Sequence, residues 1–192
     1  MPLSDPAPRE PLHTRTVTCR GYRRADGQWD VEGRITDVKA YAFDNDWRGK
    51  IEPGDPIHDM WIRLTVTDGL EITAVEAVTE KSPFEICGGI TPNFQRLVGL
   101  RIGTGWTRAV RERLGGVEGC THLVELLGPV ATTAFQTIFP ARARDEAARG
   151  KTERPGKRPF LLNTCHAFRS DGPIVRKQWP EFHTPANSTQ DP

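Results

Sequence analysis

Between Ile57 and Val78 the chain alternates apolar and polar residues on either side of Thr67–Asp68–Gly69. Ile62, Leu64 and Val66 interleave with Trp61 and Arg63, a repeat of two that sends each set to its own face of a strand. An Asp-Gly turn between two such runs is a hairpin signal. This stretch therefore commits the chain to an antiparallel sheet with one buried face.

A second hairpin is expected upstream, from Thr14–Tyr22 and Gln28–Phe43 around Ala25–Asp26–Gly27. The polar segment Asp44 to Pro56, punctuated by Gly and Pro, reads as a loop. Downstream the signals turn helical. Thr91–Pro92 opens a short helix closed by Gly99, and Thr104 to Leu114 stops at Gly115–Gly116. From Thr121 to Phe139, Leu123, Leu126, Leu127, Val130 and Ala134 recur at helical spacing, with Gly128–Pro129 as a kink point. Residues 141–159 read as an exposed helix end and basic loop. A last hairpin is expected over 160–180, turning at Ser170–Asp171–Gly172–Pro173. The order defines an α+β class, an antiparallel sheet from N-terminal hairpins packed on a helical layer.

With 192 residues, of which 36% are hydrophobic, the length suits one domain with a modest core. That domain is drawn over 13–182: an N-terminal hairpin extension (13–53), a core (54–139) and the C-terminal hairpin. Four prolines in residues 1–12 mark a disordered leader, and 183–192 reads as a disordered tail. Lys and Arg number 26 against 25 acidic residues, so there is no concentrated cationic face for nucleic acid. No apolar run approaches the ~20 residues of a membrane span, and the N-terminus lacks a signal-peptide core. The expectation is a cytoplasmic protein with reduced cysteines, a small-molecule partner, neither nucleic acid nor membrane, and a homo-oligomer left open.

No familiar catalytic string occurs, so chemistry must be sought at scattered positions. His58–Asp59 opens a strand after a loop, and imidazole and carboxylate are both an acid–base pair and metal ligands. Adjacent strand residues face opposite sides, so the two share a site only if a bulge or strand end turns the chain. Cys87 precedes the first helix and Cys120 opens the long one, positions that favour thiolate, with His122 in the first helical turn. Cys165–His166 points its two side chains apart, and Cys19 sits in an ordinary strand. Asp37 and Lys39 share one strand face and suit an ion pair; were that face to line a cleft, Lys39 would neutralise an anion.

Several phrases carry a resemblance: His13–Thr14–Arg15, Gly21–Tyr22–Arg23–Arg24, Thr36–Asp37–Val38–Lys39, Gly54–Asp55–Pro56–Ile57–His58–Asp59–Met60, Gly119–Cys120–Thr121–His122 and Thr164–Cys165–His166. They resemble a bacterial family catalogued as domain of unknown function 2889, and the resemblance implies a link to aromatic-compound catabolism. Residues 54–139 are also distantly similar to the U-type iron–sulfur cluster scaffold proteins and their zinc-bound relatives. That similarity implies a scaffold-like core in which Asp59, Cys87 and Cys120 are the metal ligands. The first scaffold cysteine falls at Ile57, which cannot ligate. Three ligands with an open position imply a catalytic site, zinc most of all, with His58 or His122 moving a proton. A lyase or hydrolase acting on a small organic acid or aromatic compound is the leading expectation. The alternatives are an iron–sulfur or metal carrier, and a metal-free Cys120–His122 enzyme or ligand-binding module.

Overall fold

The computed structural model describes residues 3–150, 156 and 158–185. Six strands come first: β1 (His13–Arg23), β2 (Trp29–Lys39), β3 (Phe43–Asn45), β4 (Gly49–Ile51), β5 (Pro56–Val66) and β6 (Ile72–Lys81). A 3-10 segment, Glu85–Leu97, leads to helix α1 (Trp106–Leu114) and then to the long α2 (Thr121–Ala148). The main sheet is antiparallel in the order β1-β2-β5-β6, while β3 and β4 form a separate two-stranded ribbon.

The period-2 pattern decides which face is buried. In β2, Trp29, Val31, Gly33, Ile35 and Asp37 are buried while the residues between them are half-buried. In β5, Met60, Ile62, Leu64 and Val66 point the same way. The apolar stripe of α2 (Leu123, Leu126, Leu127, Val130, Ala134 and Ile138) joins them in one core with Phe94 and Leu97. Two strand glycines let the helix come close. A Cβ on Gly33 would lie 2.6 Å from Val130, and one on Gly21 would collide with Thr137. Glycine costs strand stability elsewhere, but here it is the only residue that fits beneath the helix.

Several expectations change. Residues 160–180 do not form a hairpin. They hold a 3-10 turn (His166–Phe168), helix α3 (Pro173–Gln178) and a further 3-10 turn (Pro180–Phe182). Pro173 follows Gly172 at the first helical position, where a missing N–H costs nothing, so the residues read as a turn start a helix instead. The loop 44–56 contains the β3–β4 ribbon, and α2 runs to Ala148, which puts the helix end inside the segment 141–159 where one is expected. Residues 3–12 are exposed without regular structure; of the expected basic loop and tail, 151–155, 157 and 186–192 lie outside the described residues.

The chain divides into two compact units, Met1–Arg144 and Asp145–Pro192, where the sequence suggests one domain to 182. The first contains the sheet. In the second, Asn163 accepts the Ser170 N–H at 2.8 Å, and the Phe168 and Trp179 rings lie 5.5 Å apart. No helix among the described residues is long and apolar enough to cross a membrane.

If close approach is why Gly33 is glycine, Gly33→Val should lower unfolding free energy by about 1–3 kcal/mol through overpacking. Gly88→Ala, which meets open space, is the control. Urea denaturation reads both; an unchanged midpoint for Gly33→Val would show that α2 does not press on the sheet.

Candidate metal centre

At the rim of the sheet, β2 and β5 bring Asp37 opposite His58 in register. Both are in phase with the core residues of their strands, so both project beneath the helical layer. The ladder is irregular just beyond, between Asp37 and Val38, and such bulges recur where a sheet edge aims side chains at a site. The first turn of α2 adds His122 from above.

Asp37 is 1% exposed, and its carboxylate is surrounded by donors. Arg15, its register partner on β1, donates two bonds, Nε to Oδ1 at 2.8 Å and Nη2 to Oδ2 at 2.9 Å. His13 Nε2 lies 3.1 Å from Oδ1 and His58 Nδ1 2.9 Å from Oδ2. His122 Nε2 is 3.8 Å from the same Oδ2. The His58 and His122 rings lie with centroids 3.7 Å apart, tilted by 31°. One ligand atom from each of Asp37, His58 and His122 lies within 4.8 Å of the others, and among the described residues this is the one such group of three.

The protonation states suit ligation. Burial pushes the Asp37 carboxyl upward, but the hydrogen bonds and charge of Arg15, with His58, outweigh it and hold the group below the usual carboxylate value. Burial lowers His58, and the neighbouring His122 lowers it further against the pull of Asp37. Burial also lowers His122, and the Arg15 charge adds to that. An ionised carboxylate flanked by two neutral imidazoles is the donor set a divalent cation requires. An ionised carboxylate only accepts, so without a metal the His58 Nδ1 carries the proton of the bond to Asp37; a cation held by both groups would take that proton's place, with the imidazole then protonated on Nε2.

The ligand set implied by the scaffold similarity is not brought together. Asp59 is out of phase with His58 and lies on the opposite sheet face, where Arg34 grips it in a fork at 2.9 and 2.6 Å. Arg34 in turn lies over the Trp61 ring at 4.7 Å. The irregularity between Asp59 and Met60 does not turn the carboxylate inward. Cys87 belongs to the 3-10 segment and bonds through its N–H to Phe84. Cys120 does reach the cluster: its Sγ is 4.0 Å from His122 Nδ1 and 3.8 Å from Met60 Sδ. Neither Asp59, Cys87 nor Cys120 belongs to the group of three.

Of the proton-moving candidates, His58 and His122 meet in one place. Lys39 lies at the end of β2 with Nζ 5.9 Å from the Tyr41 ring, and Arg15 takes the role expected of it beside Asp37. Arg15 stands in the His13–Thr14–Arg15 phrase, but nothing in the sequence pairs it with Asp37, and no motif marks Glu125. Asp37 is marked, since it continues the Trp29–Val31–Gly33–Ile35 phase into the core.

A family model described as Protein of unknown function (DUF2889) matches residues 13–136, and the chain belongs to that family. The match spans all the residues of the cluster. No curated protein and no solved structure matches the chain.

The depressed imidazoles fix a pH dependence. Below the ordinary histidine value of about 6.5 the unfolded chain takes up protons that folded His58 and His122 resist. Stability should therefore fall as pH drops through that range, before Asp37, depressed in its turn, begins to protonate. Thermal unfolding from pH 7.5 to 5.5 should show a declining midpoint that flattens in His58→Gln/His122→Gln. A midpoint that holds or rises on acidification would contradict the assignment.

Proposed function

We propose that this chain is a metal-dependent enzyme, a lyase or hydrolase of a small organic acid or aromatic compound, whose divalent cation is held by Asp37, His58 and His122. What supports this is the convergence of one carboxylate and two neutral imidazoles within 4.8 Å. Zinc is the first choice for such a nitrogen and oxygen set, and iron(II) or manganese shares it. Bound there with positions left open, a cation would polarise a substrate oxygen or acidify a water.

The protein's own groups divide the remaining work. Asp37 supplies the negative charge, and Arg15 fixes its orientation. The side chains of His58 and His122 keep 14% and 22% exposure, which leaves the cluster reachable from solvent. His13, on the other carboxylate oxygen and 36% exposed, is the imidazole left to carry a proton to or from substrate. An iron–sulfur carrier has less support, since the group of three contains no cysteine.

A second reading draws on one observation. The 2.9 Å bond from His58 Nδ1 to Asp37 leaves Nε2 as an oriented base, which a metal-free acid–base enzyme would use.

Protein purified without chelator or nickel resin should carry or bind about one zinc per chain. Asp37→Asn, His58→Ala and His122→Ala should each weaken binding at least ~10-fold, and Asp59→Asn should not. Calorimetric zinc titration measures this. In a screen of aromatic esters and hydroxy acids, chelator should abolish turnover and zinc restore it. Chelator-insensitive turnover that still requires His58, with no zinc bound, would overturn the metal and favour the dyad.

A further inference from the structure

Arg15 has a second partner. Its Nη1 donates to Glu125 Oε2 at 2.6 Å, while Nε and Nη2 hold both oxygens of Asp37. One guanidinium thus joins a carboxylate on β2 to a carboxylate in the first turns of α2. His122, three residues before Glu125, comes from that same helix end.

This arrangement sets a problem and its solution. A cation bound by Asp37, His58 and His122 would sit close to the guanidinium charge that grips Asp37. Two positive charges several ångströms apart in a partly buried rim repel substantially. Lysine would bring the same charge without the fork, and an apolar residue would leave Asp37 free to rotate. Glu125 supplies the missing counter-charge on the far side of Arg15. The fork occupies one bonding direction on each Asp37 oxygen and His13 a second on Oδ1, leaving Oδ2 to face His58 and His122.

Building on the metal-centre reading, we propose that Glu125–Arg15 is a positioning pair for the cation. Arg15 presents Asp37 through one oxygen, Oδ2, and Glu125 neutralises Arg15 so that a divalent ion is accepted beside it. The pair also couples the ends of β1 and α2 on which His13 and His122 stand, so loading the centre tightens the contact between sheet and helix. Neither residue touches the reacting atoms; both act through Asp37.

Zinc affinity and the visible spectrum of the cobalt(II)-substituted protein test this in the full-length chain. Wild type, Glu125→Gln, Arg15→Lys and the exposed control Glu112→Gln are compared. Outer partners of metal ligands typically contribute 10–100-fold in affinity. Glu125→Gln should lose about tenfold in zinc affinity while its cobalt spectrum stays that of wild type, because only the counter-charge is gone. Arg15→Lys should lose at least as much and also shift the cobalt bands, because Asp37 is no longer held to one oxygen. Unchanged unfolding midpoints for the metal-free variants separate positioning from folding. Should Arg15→Lys unfold, Glu125→Gln still decides, since Glu125 is exposed and its replacement is isosteric.

Wild type that binds zinc through His58 and His122, with affinity and spectrum the same in both variants, would overturn the positioning pair and leave the metal centre standing. Wild type that binds neither zinc nor cobalt would overturn the centre, and the pair's role with it.

Discussion

A buried carboxylate is the most demanding group in this protein. Asp37 sits at 1% exposure, where an unpartnered negative charge would cost several kcal/mol. The chain meets that cost with donors from separate elements: Arg15 and His13 from β1, and His58 from β5, with His122 of α2 close by. Each reaches Asp37 only if the strand register and the seat of α2 are right. Register is set by the alternating core residues, and the seat of α2 by Gly21 and Gly33, which admit the helix. The charged cluster is therefore a consequence of apolar packing. In return, it ties the rim where the apolar contacts end.

The two faces of β5 show how one strand separates structure from chemistry. His58 leads the inward row of Met60, Ile62 and Leu64, while Asp59 leads the outward row of Trp61 and Arg63. On the outer face charges pair across adjacent strands: Arg34 with Asp59, and Arg63 with Glu32 and Glu76. The Arg63 pairs are solvent-exposed and contribute little individually, whereas the Asp59 carboxylate held by Arg34 is itself buried. On the inner face the charges are few and shielded, and burial displaces the pKa of His58 and of His122 downward. Displacement of that kind, in a group solvent can still reach, is what distinguishes a candidate site from a decorated surface.

Much of this was legible in the sequence, because period-2 alternation and 3–4 helical spacing report directly on burial. The sheet, its two hairpins, and the stripe of α2 follow from those patterns. The same alternation also contained the key to the site. Asp37 falls in phase with Val31 and Ile35, and Asp59 out of phase with Met60, so their fates were written in the spacing. The scaffold similarity drew attention instead to Asp59 and the thiols. Arg15 and Glu125, 110 residues apart, meet only through the three-dimensional fold, and no local signal links them. The final hairpin failed for a different reason: Gly172–Pro173 is equally good as a turn and as a helix entry, and only packing chooses.

The claim on which the functional account stands is that one cation meets Asp37, His58 and His122 together. X-ray absorption at the zinc edge of the loaded protein examines that shell without any knowledge of substrate. The account predicts nitrogen and oxygen neighbours at about 2.0–2.2 Å, with imidazole scattering from two rings and none from sulfur. A sulfur neighbour near 2.3 Å would move the metal to Cys120 or another thiol and contradict it.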